Sequence, residues 1–216
     1  MDWVSAIAAF SVAAALLTIT PGLDTALVLR TATVEGGGQA MKAGAGVVSG
    51  VLAWGLLASV GLGAVLTVSE IGYRILQYAG AAYLVWLGAQ MVRAAFRPAA
   101  VPEPAADAAL PEPSAKRSSG WFLRGLMTNL LNPKVGVFYV SLLPQFIPQD
   151  APVVAFSVGL AGIHAAMGLI WFAAITAATR PFARLVRNPA FTRGIDGLTG
   201  SVLIAFGVRL AFDQRS

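Results

Sequence analysis

The sequence predicts an all-α integral membrane protein of six transmembrane helices, arranged as two inverted three-helix repeats in which helices 1 and 4 are broken by proline. Three observations carry this expectation. Of 216 residues, 57% are hydrophobic and 12% charged, about half the charged share of an ordinary soluble domain, so a soluble fold could not hide the apolar surface. The apolar residues fall in long runs separated by short polar stretches, and a bilayer crossing needs about 20 of them in succession. The second half of the chain also repeats landmarks of the first.

Residues 3–29 carry one charge, Asp24, and residues 43–69 carry none, so both are long enough to span with some tilt. The N-terminus has no basic region, and its apolar run is too long for a cleaved signal, so it is expected to stay as the first span. Residues 75–92 form a third span, with Tyr78, Tyr83 and Trp86 suited to an interface. Residues 96–120 then hold Pro98, Pro102, Pro104, Pro111 and Pro113 among Ala, Glu and Ser, a composition that cannot bury a core and predicts a disordered linker. Spans four and five follow at 125–149, with one charge at Lys134, and at 151–179, with the lone histidine, His164. A sixth span at 197–212 is short and contains Arg209, which must snorkel to an interface.

The implied units are a first repeat at 1–95, the linker at 96–120 and a second repeat at 121–216. Lys and Arg test this order, because they concentrate on the cytoplasmic side of span ends. Eleven (Arg30, Lys42, Arg93, Arg97, Lys116, Arg117, Arg124, Arg180, Arg184, Arg187 and Arg193) fall on one side, against Arg74, Arg209 and Arg215 on the other. The linker is then cytoplasmic and both termini lie outside. The same scatter across loops argues against nucleic acid as the partner of the +5 net charge.

The repeat is carried by Thr20-Pro21-Gly22 in span one against Asn132-Pro133-Lys134 in span four. Gly80, Gly88 and Arg93 in span three likewise match Gly200, Gly207 and Arg209 in span six. Three spans per half is an odd number, so the halves enter the membrane from opposite sides, the inverted plan of many secondary transporters. Gly46 and Gly50 in span two and Ala155, Gly159 and Gly162 in span five suggest small faces, for static packing or for sliding.

Asp24 and Lys134 are the formal charges well inside predicted spans, where facing lipid would cost a few kcal/mol or more. They form either a buried ion pair that sets helix register or a substrate or proton site. Their context favours the second. Pro21 cannot donate to the Leu17 carbonyl, nor Pro133 to that of Asn129. Thr20 and Asn132 stand as N-caps with proline at the first helical position, so each motif reads as the start of a half-helix with unpaired N–H groups. Both motifs fall within roughly two turns of the bilayer midplane by a rise of about 1.5 Å per residue. A cavity there would hold a carboxylate, an ammonium and polar groups of Thr20, Asn129 and Asn132, a set suited to a zwitterion. His164 is either a packed residue or a proton relay. Trp54, Trp121 and Trp171 read as interfacial or packing residues.

At Thr-Pro-Gly-Leu-Asp (20–24), at Asn-Leu-Leu-Asn-Pro-Lys (129–134) followed by Phe138 and Leu-Pro-Gln-Phe (143–146), and in its glycine-rich second span, the chain resembles the lysine exporter (LysE/RhtB) family of amino-acid efflux proteins. The resemblance covers nearly the whole chain apart from the linker. It implies a multi-pass bacterial inner-membrane exporter of amino acids or their derivatives, driven by the proton gradient, with no cofactor and no enzymatic activity. Pro21, Gly22, Asp24, Asn132, Pro133 and Lys134 are the positions it points to. Leu23 stands where many members carry a second proline, which leaves the half-helix start intact. The partners expected are an amino acid, protons, the lipid bilayer and, as an open alternative, further copies of the chain.

Two other classes are weighed beside this one. A metal-cation permease is poorly served by one histidine, no cysteine and two charges of opposite sign. A non-transporting scaffold leaves the proline motifs unexplained, and an intramembrane enzyme lacks a nucleophile and base pair.

Overall fold

The computed structural model describes residues 2–68, 70–96, 120–179, 181, 183 and 188–212. Most of the expected linker lies outside the described residues, as do Arg97, Lys116, Arg117, Arg180, Arg184, Arg187 and Arg215 of the charge comparison. Among the described residues every regular element is helical.

Helix α1 (Trp3–Ile19) starts on Asp2, whose carboxylate accepts from the Ser5 N–H at 2.9 Å and the Ser5 hydroxyl at 2.7 Å. These bonds hold the Asp2 carboxyl below its ordinary range. The missing N–H of Pro21 ends α1, and α2 (Leu23–Val34) leaves the break at 50°. The expected half-helix start shifts here by two residues. Thr20 closes α1, Pro21 lies in the break, and Gly22, in extended conformation, caps α2. A proline at the first helical position needs its predecessor to act as cap, but the Thr20 hydroxyl is committed backward to the Leu16 carbonyl at 2.5 Å.

Gly36, with φ of 89°, turns the chain from α2 into α3 (Gly37–Val68) in a conformation that costs glycine least. Helix α3 begins six residues before the predicted second span, because the polar stretch from Gly37 to Lys42 winds on as helix outside the apolar run. Helix α4 is Glu70–Phe96. Span four is far more broken than predicted: α5 (Trp121–Leu130), a break at 131–132, α6 (Pro133–Val137), a π turn at Phe138–Leu142 and a 3-10 turn at Leu143–Phe146. Pro144, which has no N–H for the Val140 carbonyl, is the physical reason regular helix does not continue there. Helix α7 is Val153–Ala177, and α8 (Pro189–Phe212) starts eight residues before the predicted sixth span. Asn188 caps it by accepting from the Ala190 N–H at 2.9 Å, and Pro189 occupies the first position.

Two helices, at Gly37–Gly61 and Val153–Ala177, are long and apolar enough to cross a membrane, and α1 with α2 makes a third if the bent pair is one span. Helices α4 and α8 are long enough but more charged, carrying Glu70, Arg74 and Arg93 in one and Arg193, Asp196 and Arg209 in the other. The outer surface carries Leu52, Leu56, Leu57, Val60, Leu169 and Ile170 exposed, a face that a membrane protein turns to lipid.

Glycine sets the close helix contacts. A Cβ on Gly46 of α3 would collide with the Phe122 carbonyl of α5, and one on Gly125 of α5 with the Ala43 carbonyl of α3. On the antiparallel pair α4 and α8, a Cβ on Gly88 would stand 2.5 Å from the Gly200 carbonyl and one on Gly200 2.6 Å from that of Gly88. Gly88 and Gly200, each from one of the two matched sets, thus touch each other, although by order in the chain Gly88 is matched to Gly207 and Gly200 to Gly80. The small face of α7 does not behave as anticipated. A Cβ added to Gly159 or Gly162 would meet nothing within 4 Å, while α7 meets α3 through Ala161 against Gly55 and Gly168 against Val48. At the centre Phe10, Phe138, Tyr139, Phe146 and His164 form a buried aromatic cluster.

Candidate functional site

The two breaks face each other across the interior. Asp24 is the second residue of α2 and Lys134 the second of α6, so the equivalent position of each half-helix carries a charge, of opposite sign. Asn132 caps α6 as the sequence predicts, accepting from the Lys134 N–H at 3.1 Å, with Pro133 next. A cation in a first helical turn opposes the helix dipole at roughly 0.3–1 kcal/mol. Lys134 is therefore not there for helix stability.

The hydrogen bonds of the two charges run to neutral groups. Asp24 Oδ2 accepts from Asn129 Nδ2 at 2.9 Å and from Asn132 Nδ2 at 3.3 Å. The Lys134 ammonium donates to the carbonyls of Leu17 and Thr20, both at 3.4 Å, long contacts that leave it loosely held. The Leu17 carbonyl is the one Pro21 releases, so one break supplies the acceptor for the charge of the other. The Asn129 carbonyl, released by Pro133, is not free as expected. It accepts from the Asn132 N–H at 3.0 Å and from the Trp54 indole at 3.4 Å. The hydroxyl of Thr20 is also engaged, because it donates to Leu16 and so accepts from Thr199 at 2.7 Å.

Two acceptors are left over. Asp24 Oδ1 and Asn129 Oδ1 are buried and meet no donor, and an unsatisfied buried polar atom costs about 1–3 kcal/mol. Both belong to residues lining one cavity of about 50 Å³. Thr20, Gly22, Asp24, Asn129, Asn132, Lys134 and His164 all line it, so the structure brings the predicted site residues together. Pro21 and Pro133 shape its walls through the backbone. That volume suits a few waters, whereas small-molecule pockets run to hundreds of Å³, so the cavity is narrow as it stands. On the far side of Asn132 and Pro133 a larger chamber of about 550 Å³ opens among Trp54, Tyr83, Gly136 and Ser141.

His164 is buried, and its Nδ1 lies 3.0 Å from the Tyr139 hydroxyl, whose ring stacks on it at 5.9 Å. Tyr139 sits on the π turn, a feature common at functional sites.

Four residues of the surroundings escape the sequence reading. Tyr139 and Thr199 look like ordinary apolar-helix residues in one dimension. Trp54 is a packing residue, as expected, but its indole also occupies a break carbonyl and its ring packs on Gly136. Asp196 fell one residue outside the predicted sixth span, and the Asn188-Pro189 cap, of the same form as Asn132-Pro133, is the signal that extends α8 back over it.

A narrow, charged interior cavity between two broken helices, inside a chain with an apolar exterior, is the construction of a membrane translocator rather than of a receptor or a membrane anchor. Comparison with known proteins says which kind. The family model of the LysE type translocator matches residues 15–214, and the chain belongs to that family. It is 30% identical over 203 residues to the threonine efflux protein of Escherichia coli (strain K12), covering 91% of this chain and 92% of that one. It is 31% identical over 204 residues to the homoserine/homoserine lactone efflux protein of Salmonella typhi, with 94% of each chain covered. It is 34% identical over 149 residues to the leucine efflux protein of Klebsiella pneumoniae, covering 68% of this chain and 66% of that one. No solved structure matches the chain.

Proposed function

We propose that the protein is a secondary transporter of the bacterial inner membrane that exports an amino acid or amino-acid derivative, binding it as a zwitterion between Asp24 and Lys134 and coupling its exit to protons. The observation that carries the reading is the pair of donorless acceptors, Asp24 Oδ1 and Asn129 Oδ1, beside a loosely held ammonium in one narrow cavity. An incoming α-ammonium supplies the donors those oxygens lack, and its carboxylate offers Lys134 a better partner than two carbonyls at 3.4 Å. The direction of transport rests on the relatives, which are named for efflux.

The reading takes the chain as six spans in two inverted halves, 1–95 and 121–216, joined by a cytoplasmic linker, with both termini periplasmic. Supporting it are the charges at matching half-helix positions, the mutual contact of Gly88 and Gly200, and the packing of α3 on α7, each helix against its counterpart. The indole of Trp3 donates to Asp150 at 3.2 Å, which fits α1 and α7 entering from one side. The narrow cavity is then the central site of an alternating-access cycle, and His164 with Tyr139 is its proton relay. A metal-cation permease would need ligands gathered together, and among the described residues no three His, Cys, Asp or Glu gather.

The test is amino-acid efflux from dipeptide-loaded cells carrying the wild type or Asp24→Asn at matched membrane levels. Loss of efflux is expected in the variant, and in the wild type when a protonophore collapses the gradient. Unchanged efflux in Asp24→Asn overturns the site, and indifference to the protonophore overturns the coupling.

A further inference from the structure

Asp196 is a carboxylate that neither the site described above nor the family comparison uses. It lies on α8 one turn before Thr199, whose hydroxyl donates to Thr20 at 2.7 Å. Residues three apart on a helix share a face, so Asp196 faces the side of α8 that meets the α1–α2 break. Asp24 lies one turn beyond Thr20 on α2, which runs opposite to α8 in the transport reading. The hydroxyl pair thus fixes two carboxylates, Asp24 and Asp196, at one level, both on the side from which α8 starts. Lys134 donates to the Thr20 carbonyl at that junction. Lys134 and Asp196 act on each other electrostatically across this junction, as Lys134 and Asp24 do. Asp196 is half-buried.

One ammonium therefore stands among two carboxylates. Its hydrogen bonds run to the Leu17 and Thr20 carbonyls, and Asp24 Oδ1 is left without a donor. We propose that Asp196 is a positioning residue of the transport site, holding Lys134 when the site is empty, keeping Asp24 open to the solute's ammonium, and competing with the solute's carboxylate for Lys134. Competition weakens binding but speeds release, because a solute anchored on an uncontested ammonium leaves slowly. The inference rests on the transport reading above.

The experiment uses the full chain in proteoliposomes, with labelled threonine, homoserine and leucine as probes and KM and kcat measured separately. For whichever probe the wild type carries, Asp196→Asn lowers KM about threefold or more and lowers kcat by a comparable or larger factor. Asp196→Glu restores both. With the carboxamide analogue of the same probe, which has no carboxylate to compete, Asp196→Asn leaves KM at the wild-type value. An unchanged or raised KM for the amino acid overturns the inference while the transport reading stands. So does a failure of both Asp196→Asn and Asp196→Ser to reach the membrane folded, which makes Asp196 a structural residue. Absence of wild-type transport for every probe overturns the transport reading and this inference with it.

Discussion

Gly50→Ala tests whether packing between helices holds the site in register. Gly50 lies on α3, and a Cβ there would stand 2.6 Å from Asn129 Oδ1 and 2.9 Å from Asn129 Cβ, where ordinary contact begins at 3.4 Å. Asn129 is 1% exposed and has no room to retreat except away from α3. Relief needs a shift of roughly 1 Å, which stretches the Asn129 bond to Asp24, now 2.9 Å, beyond hydrogen-bond range. A hydrogen bond to a charged group contributes about 1.5–3 kcal/mol. At about 1.4 kcal/mol per factor of ten, kcat/KM for efflux falls roughly 10- to 100-fold. The assay is efflux from proteoliposomes, normalised to reconstituted protein and compared with Gly159→Ala, where a Cβ meets nothing within 4 Å and the change stays within about 0.5 kcal/mol. Wild-type efflux by Gly50→Ala refutes the reasoning, because it shows that Asp24 works without the Asn129 contact.

Two more predictions follow from the packing. Tyr139→Phe keeps the ring stacked on His164 but removes the partner of Nδ1, so thermal unfolding in detergent shows a loss of about 1–3 kcal/mol; an unchanged midpoint means that His164 does not depend on that hydroxyl. Gly88→Ala and Gly200→Ala each push α4 and α8 apart and reduce the folded, monodisperse fraction on fluorescence-detected size exclusion. Because both remove the same contact, the double variant is little worse than either single one, and full additivity of the two losses contradicts the Gly88–Gly200 contact.

The helix breaks show how far local chemistry reaches. Pro133 after Asn132 is a complete signal, because the asparagine side chain caps the helix from within its own neighbourhood, and the structure follows it to the residue. Thr20-Pro21 has the same form but a different outcome. Its threonine turns its hydroxyl back to Leu16 and across to Thr199, and the second of those partners is 179 residues away. The start of α2 therefore moves to Gly22. The extra breaks after Val137 are half legible, since Pro144 announces an interruption but not a π turn.

What the sequence by itself determined is what depends on composition and near neighbours: the membrane class, the helical content, the two proline interruptions, and the short roster of polar residues that must avoid lipid. Burying a charge in a bilayer is expensive wherever it lies, so Asp24 and Lys134 could be singled out without coordinates. Which partners they take was decided only in three dimensions. Asp24 meets Asn129 and Asn132, 105 and 108 residues away, Lys134 meets the carbonyls of another helix's break, and a threonine pair joins that break to α8. Each of those arrangements depends on how closely helices distant in sequence can approach, and that is a property of packed surfaces rather than of any one segment.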